Sequence, residues 1–197
     1  MTTESELQSL AQGSFTTLPL SDETCFKIRR GRRVTRKNCD DNPGPIPVYS
    51  GSKFKNRPLG KISEEFAKTH GIKIENAERS ARPIITINAN GAVGYCFVRR
   101  DKCIIHDDVM IVEVLSDKLC LDYVRVALRK AIVAGNFEYE AKLYNRVKDL
   151  EIEVPVTDSG EPDIERQVSI ARTQKRLEAI SQRIVEIGKY ADEVRLK

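Results

Sequence analysis

From Asp163 to Lys197 the chain carries neither proline nor strand-like alternation, and only Gly188 interrupts strong helix formers. Within this stretch Leu177, Ile180, Ile184, Ile187, Ala191 and Val194 recur at intervals of 3, 4, 3, 4 and 3, and Ile170 and Thr173 extend the series upstream. A seven-residue apolar repeat predicts one long helix with a continuous stripe. At 1.5 Å per residue it runs roughly 45 Å, more than the preceding domain needs for its own core. An amphipathic helix folded back on the domain stays open. A seam against another long helix is favoured, because such a stripe leaves water only by meeting a matching one. Residues 161–197 hold eight basic and seven acidic side chains, so the segment reads as an assembly device more than a polyanion grip.

The 197 residues suggest one main domain with an appended element. We expect a weakly ordered lead-in over 1–24 with a short helix at 4–11, a main domain over 25–160, and the long helix over 161–197. "PIPVYSG" predicts a strand, and "KISEEFAKTHG" a short helix capped by Ser63 and stopped by Gly71. "RPIITINANGAVGYCFVRR" predicts a hairpin turning at Asn90-Gly91, with its second strand from Val93. "KCIIHDDVMIVEVL" predicts another strand pair around a polar turn. Leu121, Val124, Leu128 and Ile132 recur at helical spacing before Gly135, and "LEIEVPV" closes the series as a strand. Short turn-linked strands disfavour a doubly wound parallel sheet. The expected class is α+β, a mixed β-rich domain followed by a coiled-coil-type helix.

Net charge is +4, from 33 basic and 29 acidic residues, so the cations matter only where they cluster. "KIRRGRRVTRKN" is such a cluster: seven cations over residues 27–38 with no acid among them. The start lacks the pattern of a signal peptide, and no run of 18 apolar residues predicts a spanning helix. Cys25, Cys39, Cys96, Cys103 and Cys120 form an odd set without a CxxC pair, which points to reduced core thiols in a cytoplasmic protein. Catalytic constellations are thin, and the motifs call for neither cofactor nor metal. "NPGPIPVY" has only a superficial likeness to the base-holding motif of adenine methyltransferases, since Gly44 breaks the diproline. His106, Asp107 and Asp108 form the one cluster suited to a metal-assisted nuclease. In a strand Asp107 would face away from the other two, which argues against a shared site.

The order of motifs resembles half of a specificity subunit of a type I restriction–modification enzyme, or the related short subunits of type II systems. The matching pieces are "FKIRRGRRVTRKN", "GPIPVYSGS", "ITINANGAVGYCFVRR" with Gly91 and Gly94, and "LDYVRVALRKAI". The most specific is a strand ending at Pro155 that runs into a helix opening with Glu165, Gln167, Ile170 and Ala171. The likeness covers about residues 25 to 190. It implies a non-catalytic DNA-recognition subunit with one target-recognition domain and one spacer helix, where the common form has two of each. The implied partners are double-stranded DNA, a methyltransferase subunit, a restriction subunit, and a second copy joined through the helix. Membranes are not among them. Arg29, Arg30, Arg32, Arg33 and Arg36 are then candidates for phosphates, and Lys53, Lys55, Asn56, Asn88, Asn90 and Tyr144 for base edges. The alternatives are an interaction scaffold working through the helix, and the nuclease. RNA binding is disfavoured, since no aromatic pair stands out for stacking.

Overall fold

A computed structural model of the chain describes residues 13–78, 81–135 and 143–195. Within them, β2 (Phe26–Arg30), β8 (Val109–Val114), β5 (Ile84–Asn88) and β6 (Cys96–Arg99) build an antiparallel sheet in that order. β4 (Gly60–Ile62), β3 (Ile46–Tyr49) and β7 (Ile104–Ile105) form a second sheet, in which β3 and β7 run parallel. β1 (Phe15–Pro19) pairs antiparallel with β9 (Glu151–Pro155). The expected mixed, β-rich class with a long closing helix is the one observed.

β5 sets the layering. All five of its residues are buried. Ile85 and Ile87 join the main core with Val98, Val112 and Leu128, whereas Ile84 meets Ile105, Val109 and Ile111 on the opposite face. A strand covered on both faces needs the continuous apolar run the sequence provides. One cover is helix α3 (Leu121–Ala134), which buries Tyr123, Val124, Ala127, Leu128 and Ile132. The second sheet carries its own small core, where Cys39 of α1 (Arg36–Asp41) and Ala67 of α2 (Glu64–Thr69) pack with Val34 and Ile62. Ser63 caps α2 by accepting from the Phe66 amide at 3.1 Å, and Gly71 follows it with φ +60°, as expected. All five cysteines are free. Burial pushes the thiols of Cys96 and Cys103 up to about 12, which keeps them protonated and unreactive. Among the described residues no helix is long and apolar enough to cross a membrane.

The connections differ from the sequence reading. β7 and β8 do not pair with each other. They belong to different sheets, and residues 106–108 form the corner between them. β6 starts at Cys96 rather than Val93, and residues 89–92 are held by other partners. The amides of Ala89 and Asn90 donate to the Asp108 carbonyl, and that of Ala92 to the Gly51 carbonyl. Residues 15–19, expected in the lead-in, are drawn into a strand by β9. The helix expected at 4–11 lies outside the described residues. α1 was not expected, although Thr35 and Asn38 cap its start reciprocally.

After the single turn α4 (Leu143–Arg146), β9 leads to α5 (Ile164–Arg195). Its first turns do fold back on the domain. Gln167 and Ala171 are buried, and Ile170 packs on the main core. The cap residue of α3, Cys120, has no side-chain cap of its own. Gln167 supplies one from α5: its Oε1 accepts the Cys120 amide at 2.8 Å, while its Nε2 donates to the Lys118 carbonyl at 3.1 Å. Arg125 on α3 grips Glu178 on α5 through two bonds of 2.7 and 3.2 Å. Beyond these ties the stripe is bare, with Leu177, Ile180, Ile184 and Ile187 exposed by 48, 56, 64 and 62%. Ala191 and Val194 lie on the helix, but their side chains fall outside the described residues.

Gly91 has φ +75°, and a side chain there would crowd the Gly51 carbonyl at 2.8 Å. Gly91→Val should therefore cost more than the roughly 1–2 kcal/mol of a left-handed L-residue and lower the urea midpoint. An unchanged midpoint would show that the two loops do not depend on their close approach.

Candidate nucleic-acid interface

The alternation of β2 sorts the first cations. Phe26 and Ile28 face the main core, so Lys27 and Arg29 take the other side of the strand. Arg29 Nε donates to Glu113 at 2.8 Å, and its Nη2 to the buried Glu75 at 2.6 Å. Lys73 stands 3.3 and 3.5 Å from the same two carboxylates. Burial pushes the Glu113 carboxyl up, but the hydrogen bond and charge of Arg29 outweigh it and hold it below its usual range. Arg29 is thus committed to a network inside the fold. Arg30 points the opposite way. Its Nε donates to the Asp107 carbonyl at 2.7 Å, and its guanidinium lies 4.2 Å from the centre of the Tyr144 ring. The Tyr144 hydroxyl donates to that same carbonyl at 2.6 Å. Two candidates far apart in sequence therefore meet at one corner.

Gly31 carries the backbone across this corner. Its amide donates to the Val109 carbonyl at 3.0 Å and that of Arg32 to the Ile105 carbonyl at 2.8 Å. A Cβ at Gly31 would collide with the carbonyls of Ile105 and His106, so only glycine allows the approach. Beyond it Arg32, Arg33, Arg36 and Lys37 are exposed, with no carboxylate in ion-pair reach among the described residues. The backbone is fixed and the charges are free.

The corner is the polar turn expected here, and it brings together His106, Asp107 and Asp108, which a strand would have parted. These residues sit at a turn, not in a strand, and one ligand atom from each lies within 4.8 Å of the others. Asp107 Oδ1 is buried without a hydrogen-bond partner among the described residues, while other polar atoms of the three are engaged locally. His106 Nδ1 accepts the Asp108 amide at 3.1 Å, Asp107 Oδ2 stands 3.5 Å from Arg30, and Asp108 Oδ1 accepts from the Asn90 amide group at 3.1 Å. Asn90 is exposed and held in place by this bond. Asn88 is buried, and its side chain donates to the Ser52 carbonyl at 2.7 Å, bracing the neighbouring loop. On that loop Lys53, Lys55 and Asn56 are exposed.

The sequence reading missed three residues of this loop system. Arg57 adds a further exposed cation. Phe54, 52% exposed, has Lys53 and Arg57 at 5.3 and 6.0 Å from its ring centre. Arg99 is buried with its guanidinium 3.7 Å from the centre of the Tyr49 ring, and it donates to the Lys55 carbonyl. Arg57 was legible as one more cation in "KFKNR". The support from Arg99 comes from a distant strand and left no local signal. The Lys55 amine is held below its usual pKa, first by burial and then by the charges of Arg99 and Arg100. Cations of the run, the corner and the loop thus form one edge, linked by Asp107, Asp108, Asn90 and Gly51.

The sequence model of the type I restriction modification DNA specificity domain matches residues 24–189. The specificity subunit of the type I restriction enzyme MpnII from Mycoplasma pneumoniae is 27% identical over 161 residues, covering 81% of this chain and 43% of the relative. The chain spans about half the length of the curated relatives it matches, between 43 and 60%. The fold is shared with the crystal structure of a type I restriction–modification S subunit from M. genitalium. The TM-score there is 0.61 at 13% identity, over 96% of this chain and 48% of that one. The HsdS subunit from Thermoanaerobacter tengcongensis has the same fold, with a TM-score of 0.55 at 17% identity over 87% of this chain and 38% of that one.

The contrast between Arg29 and the free cations gives a direct test. Arg32→Ala, Arg33→Ala and Arg36→Ala should each reduce the salt slope of duplex DNA binding by roughly 0.9 while leaving the melting temperature in place. Arg29→Ala should instead lower stability, because Glu75 would be left buried without its closest cation. Stable Arg29→Ala protein with a reduced slope would move Arg29 to the phosphate side.

Proposed function

The chain belongs to the type I restriction modification DNA specificity family, and from that premise we infer that it reads one half of a two-part duplex target. The family role is DNA recognition. The observation that favours this reading is the cationic edge, whose free arginines rise from a pinned backbone beside loops presenting Asn90, Lys53, Lys55 and Asn56. Long cations supply register and sequence-independent affinity. Short amides held in place, such as Asn90, suit the donor and acceptor pattern of base edges. Arg30 and Tyr144 fit the phosphate margin, Asn88 braces the loop at Ser52, and Arg29 serves by tying β2 to Glu75 and Glu113.

The bare stripe of α5 supports a role in assembly. Full burial of one such side chain is worth roughly 1.5–3 kcal/mol, so four can hold two helices together. The stripe meets either its copy in a twofold dimer or the second spacer helix of a longer subunit. In either arrangement two recognition domains flank a fixed gap, and the methyltransferase and restriction subunits are positioned on the helices. The protein then acts in the cytoplasm, where its thiols stay reduced.

Two experiments test this reading. Ile180→Asp with Ile184→Asp should separate the assembly in sedimentation and leave the circular dichroism of the domain unchanged. Complete unfolding of that variant would assign the stripe to the domain's own core. Pure protein incubated with duplex DNA and either S-adenosylmethionine or magnesium should turn over neither methyl groups nor phosphodiesters. Magnesium-dependent cutting that disappears in Asp108→Ala would replace this reading with the nuclease one.

A further inference from the structure

Between the reading loop, β6, α3 and α5 runs a groove of about 840 Å³. Seven cationic side chains and two acidic ones line it, drawn from four segments of the chain. Both acids are already paired. Asp122 holds Arg100 at 2.9 Å, and Glu178 holds Arg125 at 2.7 Å. Arg129 donates to the Gly94 carbonyl at 2.7 Å, a neutral partner that leaves its charge uncompensated. Lys53 and Lys55 on one wall and Arg172 and Lys175 on the other have no carboxylate in ion-pair reach among the described residues.

Five uncompensated cations therefore share one groove. Like charges sharing one groove repel, and salt screens them only beyond roughly 8–10 Å. Lys55 feels positive charge on this wall: after burial, Arg99 and Arg100 and then Lys175 disfavour its protonated form. A polyanion lying along the groove would relieve all five at once. The two faces of α5 make such an occupant compatible with assembly. Val168, Ala171, Arg172, Lys175 and Gln182 line the groove, whereas the bare stripe runs through Leu177, Ile180, Ile184 and Ile187. The two series are offset by two residues, or about 160° around a helix of 3.6 residues per turn.

We propose that the groove is a second phosphate track for the same duplex, so that α5 grips DNA through Arg172 and Lys175 as well as spacing the domains. This rests on the DNA-recognition reading above. The occupant is the sugar–phosphate backbone of the strand running past the loop of Lys53 and Lys55. The cations come from α5 and from the loop together, so the track also fixes the angle between helix and duplex.

The test is the full chain carrying Arg172→Gln and Lys175→Gln, titrated with duplex DNA over a range of salt and compared with wild type. The slope should fall by roughly 1.8, equally for target and unrelated duplexes, while sedimentation and circular dichroism stay as in wild type. Arg172→Glu with Lys175→Glu should weaken binding further. An unchanged slope and affinity, with wild type binding normally, would overturn the proposal and leave the recognition reading intact. The same holds if DNA binding is untouched and only affinity for the methyltransferase subunit falls, since the groove would then belong to a protein partner. A wild type without salt-dependent duplex binding would overturn both.

Discussion

The side-chain amide of Gln167 fixes the direction in which the long helix leaves the domain. It is wholly buried, and it satisfies the amide of Cys120, the cap residue of α3, and the carbonyl two residues before it. Without it both partly buried backbone groups would lose this partner, at up to about 1–3 kcal/mol each. α3 in turn covers one face of the central sheet, so the amide joins the long helix to the sheet through a single intermediate. Arg125 and Glu178 reinforce the tie about three turns further on. The distal half of α5 can stay bare because its proximal half is anchored in this way.

The cationic edge depends on close approaches between backbones. Gly31 passes over the carbonyls at the corner of β7 and β8, and Gly51 meets the loop at Asn90 and Gly91. These contacts draw together segments separated by 40 to 75 residues of chain, and they do so without large side chains. Small residues leave the surface to the polar and cationic groups beside them. The fold therefore spends its bulky residues on the layers around β5 and its glycines where loops must touch.

Much of this was legible in sequence because it is local. The Ser63 cap, the apolar spacing of α3 and the heptad of α5 are each written within one or two dozen residues. What escaped was tertiary. Ile104 and Val109 lie close in sequence yet enter different sheets, which no local pattern announces. Arg29 and Arg32 look alike in "KIRRGRR", but Glu75 and Glu113 claim the first and leave the second free. Asn88 and Asn90 share a motif, and a carbonyl from the loop at Ser52 decides which one is buried. The groove beside α5 was invisible for the same reason: its cations come from four stretches, and within residues 161–197 alone the charges nearly cancel.

The two stripes of α5 also bear on how its length can change. A single inserted residue between Lys175 and Ile180 would rotate the distal stripe by about 100° against the groove. Seven inserted residues would restore the phase to within about 20° and lengthen the rod by roughly 10 Å. Tolerance to insertion is therefore periodic rather than graded. Helices of this kind can change reach only in steps, and each step carries the distal surface outward without turning it away from its partner.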